Sequence, residues 1–246
     1  MKKRLLVLGL AFTMLAATAC GTSSDGGNKT SKADKTVTAT SNSDKTSETQ
    51  KDDDKKDDAK ESYKSADDIT MDDLKNHEET PAEDFKYRDK SNGEAVIKEY
   101  IGDDPIVVIP NEIDGKKVVD FGKIFTNNKD IVAVRVGDNV ENIKEGAFGN
   151  CDNLKYIILG KNVKVFEHGN VGGKKFEQLE LNDGLEQLGE EGTSGAVIIL
   201  NKDKVEVKIP ESVNHMAFTG AKTLIVKAGS YAESFAKEHN MDYRVE

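Results

Sequence analysis

The chain is short of aromatic residues and of positive charge. It contains no Trp, its aromatic fraction is 6%, and its formal net charge at pH 7 is -10. Proteins that bind nucleic acid present a basic face, and adhesion to anionic lipid requires one as well. The acidic balance therefore argues against a nucleic-acid partner and against membrane binding through surface charge.

Side chains that carry chemistry are also scarce, with two Cys and four His. If Cys20 bears the lipid anchor described below, Cys151 has no partner for a disulfide. The His residues show no metal-ligand spacing, and the H-E-x-x-H motif is absent. Cys151 aligns with Asn128 and Ala221 in other copies of a repeat, which favours a packing role over a nucleophile. We therefore predict no cofactor, no metal site and no catalytic centre.

The N-terminus has the features of an export signal. Three basic residues at positions 2–4 precede an apolar run that is too short to span a bilayer. Small residues lead into Cys20, and this run resembles a bacterial lipobox with Ala17 where Leu is more usual. The resemblance implies that residues 1–19 are a lipoprotein signal peptide and that a lipid on Cys20 anchors the protein to the outer face of a bacterial membrane. A plain secretory signal with a chance cysteine is the alternative.

Residues 20–83 consist mainly of Ser, Thr, Asp, Lys and Gly. Such a segment buries too little apolar surface to offset the entropy lost on ordering, and we predict a disordered tether. Near its end, Thr70 and Asp73 have the spacing of a helix N-cap and its third residue. A short, marginal helix is expected there, with Met71 and Leu74 on one face.

An apolar triplet recurs through the second half of the chain. In each copy the second residue follows the first by four positions, and the third follows by three more. The copies are Val136, Val140 and Ile143; Leu159, Val163 and Phe166; Leu181, Leu185 and Leu188; and Ile209, Val213 and Met216. An L-x-x-L-x-L pattern, typical of one short strand, leads into each triplet. A unit this short cannot bury its own apolar face, so the copies must stack into a solenoid.

The segment after the triplet carries a second signature. From Ile143 to Leu154 it reads Ile-Lys-Glu-Gly-Ala-Phe-Gly-Asn-Cys-Asp-Asn-Leu. This run resembles the return segment of the bacterial BspA-like leucine-rich repeat, although Asn170 replaces the expected Phe in the next copy. The resemblance implies an α/β repeat solenoid with about 4–5 turns of short parallel strands. We assign this array to residues 118–228.

The terminal units of a solenoid expose apolar core unless something covers them, so caps are expected at both ends. Residues 84–117 lack the repeat pattern. They contain two strand-like segments around a hairpin turn at positions 91–93, and then a third strand that ends at Pro110. We predict that this block is an N-terminal β cap.

The other end has the signals of a helix followed by a strand. Ser230 and Glu233 have the spacing of a capping box, and apolar residues follow at helical spacing. A short strand-like segment ends the chain. Residues 229–246 are therefore predicted as a C-terminal helix and strand cap.

One surface of the array is a candidate interface. In each strand the apolar positions point into the stack, so the residues between them point outward. The outward positions are Ala133 and Arg135, Tyr156 and Ile158, Gln178 and Glu180, Glu206 and Lys208, and Thr223 and Ile225. Aromatic residues and Arg are common interface anchors, so we expect Tyr156, Ile158 and Arg135 to contact a partner. The rest of the expected binding surface is Gln178, Glu180, Glu206 and Lys208. Alternatively, Tyr156 and Ile158 merely suit a pleated strand.

These patterns predict a lipid-anchored cell-surface binding or adhesion module rather than an enzyme. BspA-like proteins include adhesins for host matrix proteins, so the resemblance implies an extracellular protein of a host or neighbouring cell as partner, with a glycan as the other expected ligand. Two alternatives remain. An extracellular enzyme would place its site in the irregular insert at residues 189–204. A solute-binding lipoprotein would need two α/β lobes, which a domain of about 160 residues does not provide.

Overall fold

Short strands make up most of the secondary structure. The computed structural model describes residues 65–167, 171, 175–189, 203–217 and 220–246. The predicted signal peptide, Cys20 and most of the insert at 189–204 lie outside these residues. The helices are α1 Met71–Asn76 and α2 Tyr231–Glu238, and the strands are β1 Phe85–Asp89, β2 Ala95–Tyr100, β3 Ile106–Val108, β4 Glu112–Ile113, β5 Lys116–Phe121, β6 Ala133–Arg135, β7 Asn142–Ile143, β8 Tyr156–Ile158, β9 Val165–Phe166, β10 Gln178–Glu180, β11 Gln187–Leu188, β12 Glu206–Lys208, β13 His215–Met216, β14 Thr223–Val226 and β15 Tyr243–Val245.

The L-x-x-L-x-L segments form a first parallel ladder, in which β3, β6, β8 and β10 lie side by side. Ala133 pairs with Tyr156, 23 residues further along the chain. Tyr156 pairs in turn with Gln178, 22 residues further along. The register of the ladder therefore equals the sequence repeat, so each repeat adds one rung. The predicted architecture, a short leucine-rich repeat solenoid of parallel strands, is confirmed.

A second ladder holds the last residue of each triplet. The strands β2, β5, β7, β9, β11 and β13 pair in parallel, and most of them are only two residues long. Ile143 pairs with Phe166, which pairs with Leu188, which pairs with Met216. The sequence predicted only one strand per repeat. A two-residue strand is too short to show an alternation of apolar and polar residues, so this second strand was not predicted. The two ladders enclose the hydrophobic core between them.

The core of the first turns is aromatic. The rings of Phe125 and Phe148 stack with their centroids 5.7 Å apart. Phe121 and Phe166 meet Phe148 edge-on, at centroid distances of 6.2 and 6.1 Å. The Sγ of Cys151 is buried in the same core and donates to the carbonyl oxygen of Phe125 at 3.0 Å. The predicted packing role of Cys151 agrees with this position.

The block predicted as an N-terminal cap also contributes to both ladders. β1 and β2 form the expected antiparallel hairpin, with Gly93 in its turn at φ 81°. However, β2 pairs in parallel with β5, and β3 pairs in parallel with β6. The first rung of each ladder therefore lies within residues 84–117, ahead of the array boundary drawn from the sequence.

At the other end, α2 and β15 follow the last rung as expected, and β15 pairs with β14. The Ser230 Oγ accepts the Glu233 backbone N–H at 3.2 Å. In the predicted capping box the Glu233 carboxylate would accept the backbone N–H of Ser230. It accepts the N–H of the preceding residue, Gly229, at 2.7 Å instead. Asn240 ends the helix with a positive φ of 53°.

The end of the predicted tether is structured. Residues 65–77, which we call the strap, contain a 3-10 turn at Ala66–Asp68 and then α1. Thr70 and Asp73 form the expected capping box. The side chains of Ile69 and Leu74 are fully buried. The interpretation of residues 65–83 as disordered is thus corrected, because these two side chains find an apolar surface on the array that local composition does not reveal.

The first ladder stops at β10, and β12 belongs to a separate sheet with β14 and β15. The second ladder continues past this point, since Gln187 of β11 pairs with His215 of β13. These two residues are 28 positions apart, whereas the preceding rung joins residues 22 apart. The insert between β11 and β12 accounts for the longer step, and the parallel ladder is unbroken on one side of the solenoid only.

Candidate binding surface

The outward residues of β6, β8, β10, β12 and β14 form one surface, which we call the strand face. The structure aligns the expected site residues in rows, so that Arg135 lies beside Ile158 and Ile158 beside Glu180. Glu206 and Lys208 lie on the far side of the break in the ladder. The strand face therefore has two parts: a covered half on β6 and β8, and an open half on β10, β12 and β14.

The strap lies over the covered half. Ala133 is 0% exposed and Tyr156 is 7% exposed, although both occupy outward positions. They pack with Ile69 and Leu74 of the strap in a cluster that is separate from the main core. Tyr156 was expected to be an exposed anchor, and the structure shows it in contact with a segment of its own chain.

Hydrogen bonds from Lys155, which lies beside Tyr156, hold the first part of the strap. The Lys155 Nζ donates to the carbonyl oxygens of Ile69, at 2.9 Å, and Asp67, at 3.3 Å. It also lies 5.1 Å from the centre of the Tyr156 ring. The Tyr156 hydroxyl donates to Glu177 Oε2 at 2.6 Å. Burial, followed by this bond to a carboxylate, raises the pKa of Tyr156 above its usual range.

Arg135 and Glu180, two other expected site residues, hold the second part of the strap. The Arg135 Nη2 donates to the carbonyl oxygen of His77 at 2.6 Å. Its Nε is buried without a hydrogen-bond partner among the described residues. Lys75 of α1 forms an ion pair with Glu180 at 2.8 Å. Because this pair is partly exposed to solvent, it contributes little to stability and mainly positions the strap.

The open half contains a groove between β10 and β12. Its volume is about 480 Å³, and its charged lining includes Glu177, Glu180, Lys204, Glu206 and Lys208. Leu179 and Ile225 supply apolar lining. The side chains of Glu206 and Lys208 are exposed. The groove thus combines charges of both signs with a small apolar surface.

The backbone hydrogen bonding at this groove differs from that in the rest of the first ladder. The carbonyl of Glu180 accepts from Leu159, the residue after β8, so the N–H groups of Leu179 and Leu181 point the other way, toward β12. Val205 and Ile209 bond to the β14 side, so the N–H groups of Glu206 and Lys208 point toward β10. Within the described residues, no backbone hydrogen bond joins β10 to β12. Two strand edges therefore face each other across the groove.

The width of the groove limits what enters it. Cα atoms of β10 and β12 approach within 8 Å of each other. Neighbouring strands lie about 4.8 Å apart, so a strand inserted between two others needs about 9.6 Å. The groove is too narrow for an inserted strand.

Neither a metal-holding cluster nor a reactive thiol is present among the described residues. They contain no group of three His, Cys, Asp or Glu side chains that could hold a metal ion. Burial raises the pKa of the Cys151 thiol to about 11, which disfavours the nucleophilic thiolate at neutral pH. No helix in the described part of the chain is long and apolar enough to cross a bilayer.

Several solved structures of leucine-rich proteins are similar to this chain. The leucine-rich repeat protein of T. pallidum matches with a TM-score of 0.47 and 24% identity, over 60% of this chain and 71% of that one. A leucine-rich repeat protein from Bacteroides ovatus ATCC 8483 matches with a TM-score of 0.41 and 17% identity, over 66% of this chain and 51% of that one. A leucine-rich cell surface protein from Faecalibacterium prausnitzii A2-165 matches with a TM-score of 0.35 and 16% identity, over 58% of this chain and 53% of that one. This chain therefore spans about half the length of the latter two. No protein-family model and no curated protein matches it.

Proposed function

We propose that the protein is a lipid-anchored extracellular binding module that holds a partner protein on the open half of its strand face. The observation that carries this proposal is the groove between β10 and β12. There, exposed charges of both signs lie beside strand edges that lack a ladder partner. Unpaired backbone groups and mixed charges are suited to a polypeptide, whose main chain and side chains offer matching donors and acceptors.

A protein partner fits this groove better than a glycan does. The residues that line it include no aromatic side chain on which a sugar ring could stack. The aromatic residue expected on this face, Tyr156, is buried under the strap. The binding surface is therefore assigned to Gln178, Glu180, Glu206 and Lys208, the part of the expected site that lies on β10 and β12.

The anchor is the second component of the proposal. Cys20 would carry the lipid, and residues 20–64 would connect it to the strap. A flexible coil of about 45 residues has an r.m.s. span of roughly 35–40 Å, which would allow the array to stand clear of the membrane. In the Cys20→Ala variant we expect the protein to leave the membrane fraction and appear in the medium. Retention of that variant at the membrane would refute the lipid anchor.

The binding experiment compares two charge swaps. Glu206→Lys with Lys208→Glu reverses the exposed charges of the groove, and Lys86→Glu with Glu99→Lys reverses an exposed ion pair on the β1–β2 hairpin. The parent protein and both variants are screened against a panel of soluble extracellular matrix proteins. We expect about a tenfold or greater loss of affinity for the first swap and no change for the second. A partner that binds all three proteins equally would exclude this groove as the site.

A further inference from the structure

The contact between the strap and the array is separate from the core of the array. Ile69 and Leu74 pack with Ile106, Val132, Ala133 and Tyr156 in their own cluster. The main core lies on the other side of the same strands, where Val134 and Ile157 point inward. The strap can therefore leave without exposing the main core, because it covers only outward positions.

The array holds the strap largely through its backbone. Lys155 donates to the carbonyl oxygens of Asp67 and Ile69, and Arg135 donates to that of His77. Carbonyl oxygens are present in every polypeptide, so these contacts require a segment of suitable shape and no particular side chain. The side-chain requirement reduces to two aliphatic residues five positions apart, Ile69 and Leu74.

Charge adds a second requirement. The strap carries acidic side chains at positions 67, 68, 72 and 73, and Asp67 forms an ion pair with Lys175 of the array at 3.2 Å. Lys155, whose side chain is 8% exposed, lies beneath the strap, and Arg135 lies at its far end. The patch also carries carboxylates, since Glu177 lies 3.9 Å from Lys155 Nζ and Glu180 pairs with Lys75 of the strap. It therefore has charges of both signs around an apolar centre, which suits a segment that carries both charges and aliphatic anchors.

The end of the strap has a defined pivot. Thr80 is buried and exchanges two hydrogen bonds with Val108 of β3: its N–H donates to the Val108 carbonyl at 3.0 Å, and its hydroxyl accepts the Val108 N–H at 2.9 Å. The Glu79 carboxylate, although exposed, accepts from the backbone and side-chain N–H groups of Asn111 at 3.4 and 2.7 Å. The chain is therefore held at Glu79 and Thr80, and the strap can swing about the exposed Glu78 and leave the first rung intact.

We propose that the covered half of the strand face is a binding site for a short polypeptide segment that carries charges of both signs and two aliphatic anchors, and that the strap is its resident, releasable occupant. When the strap lifts, the site is open to a segment of the same chemistry from another protein. This site borders the groove between β10 and β12, because Glu180 of the groove pairs with Lys75 of the strap. The inference nevertheless stands whether or not that groove binds a partner.

The release of the strap is tested with two neighbouring reporter thiols. In the full chain with Cys20→Ala and Cys151→Ala, one variant carries Ala133→Cys, beneath the strap, and the other carries Val134→Cys, in the main core. Both parent side chains are 0% exposed. We expect a thiol reagent to label position 133 at least ~10-fold faster than position 134, because local opening precedes global unfolding. Leu74→Asp, which introduces a charge into the strap contact, should accelerate labelling at position 133 only. Equal rates at both positions, or no acceleration by Leu74→Asp, would overturn the inference.

The specificity of the site is tested with the strap as a free peptide. A peptide of residues 65–78 is added to the Ala133→Cys protein that also carries Leu74→Asp. We expect the peptide to slow labelling at position 133 several-fold at concentrations on the order of 1 mM, the effective concentration of a tethered segment. The same peptide with Asp in place of Ile69 and Leu74 should give no protection, and Lys155→Met in the protein should weaken it. Lack of protection by the natural peptide, or equal protection by both peptides, would show that the patch is not a binding site.

Discussion

The covered and open halves of the strand face are built from the same repeat, and they differ in the chemistry of their outward residues. On β6 and β8 these residues include Ala133 and Tyr156, which the strap buries. On β12 they are Glu206 and Lys208, which remain exposed. Ala133 and Tyr156 thus mark a contact that the chain makes with itself, and the exposed Glu206 and Lys208 mark a surface that the strap leaves open.

The two halves also differ in their backbone. Beneath the strap the first ladder continues without a break over steps of 27, 23 and 22 residues. At the insert the first ladder ends and the second continues. The groove on the strand face therefore lies at the insert, while the opposite ladder keeps the solenoid together.

The largest expected effect comes from removing the aromatic support behind the covered half. Phe148 is 1% exposed and contacts three other Phe rings. Phe148→Ala should lower the free energy of unfolding by about 3–5 kcal/mol, as for other buried aromatic residues. Urea denaturation measures the change, with Glu206→Ala as a surface control that should stay within about 0.5 kcal/mol. A loss below about 1 kcal/mol for Phe148→Ala would mean that these rings do not form a packed core.

A prediction of intermediate size compares the covered and open halves of the strand face directly. Tyr156 and Gln178 occupy the same outward position on adjacent rungs. Tyr156→Ala should cost about 2–3 kcal/mol, because it removes a buried ring under the strap and the bond to Glu177. Gln178→Ala should cost about 0.5 kcal/mol or less. Similar losses for both variants, measured by thermal and urea unfolding, would contradict the division of the strand face.

A smaller effect is expected at Cys151, which is buried in the main core. Cys151→Ala should cost about 1 kcal/mol through lost apolar burial. Burial raises the pKa of its thiol from the ordinary 9.0 to about 11. Between these values the unfolded chain loses the proton and the folded chain keeps it, so stability should fall as pH rises from about 9 to 11. That part of the decline should be absent in Cys151→Ala. The same slope in both proteins would place the titrating group elsewhere.

Sequence periodicity predicted the array well, because inward positions are determined within each repeat. Ile143, Phe166 and Leu188 are all buried where the triplet pattern places them. The N-cap of α1 at Thr70 was also predicted from the sequence, because the capping pattern spans only the four residues from Thr70 to Asp73. Local patterns of this kind need no knowledge of distant contacts.

The strap and the break in the ladder could not be predicted in the same way. Ile69 and Leu74 are isolated aliphatic residues in an acidic stretch, and only the surface of β6 and β8 makes their burial favourable. From the sequence, the outward-facing Tyr156 resembles an interface residue. The strap that covers it lies about 80 residues earlier in the chain, so no local pattern reveals the contact. The break depends on how an irregular insert is accommodated between two rungs, which repeat spacing alone does not specify.

Amide hydrogen exchange of the whole chain tests most directly whether the strand face is divided. The Leu159 amide donates to Glu180 within the continuous ladder, and the amides of Glu206 and Lys208 face the groove. We predict that the Glu206 and Lys208 amides exchange at least ~100-fold faster than the Leu159 amide, with the Leu74 amide of the strap at an intermediate rate. Equal and strong protection at all four amides would show one unbroken ladder with a permanently fixed strap, and would contradict the account.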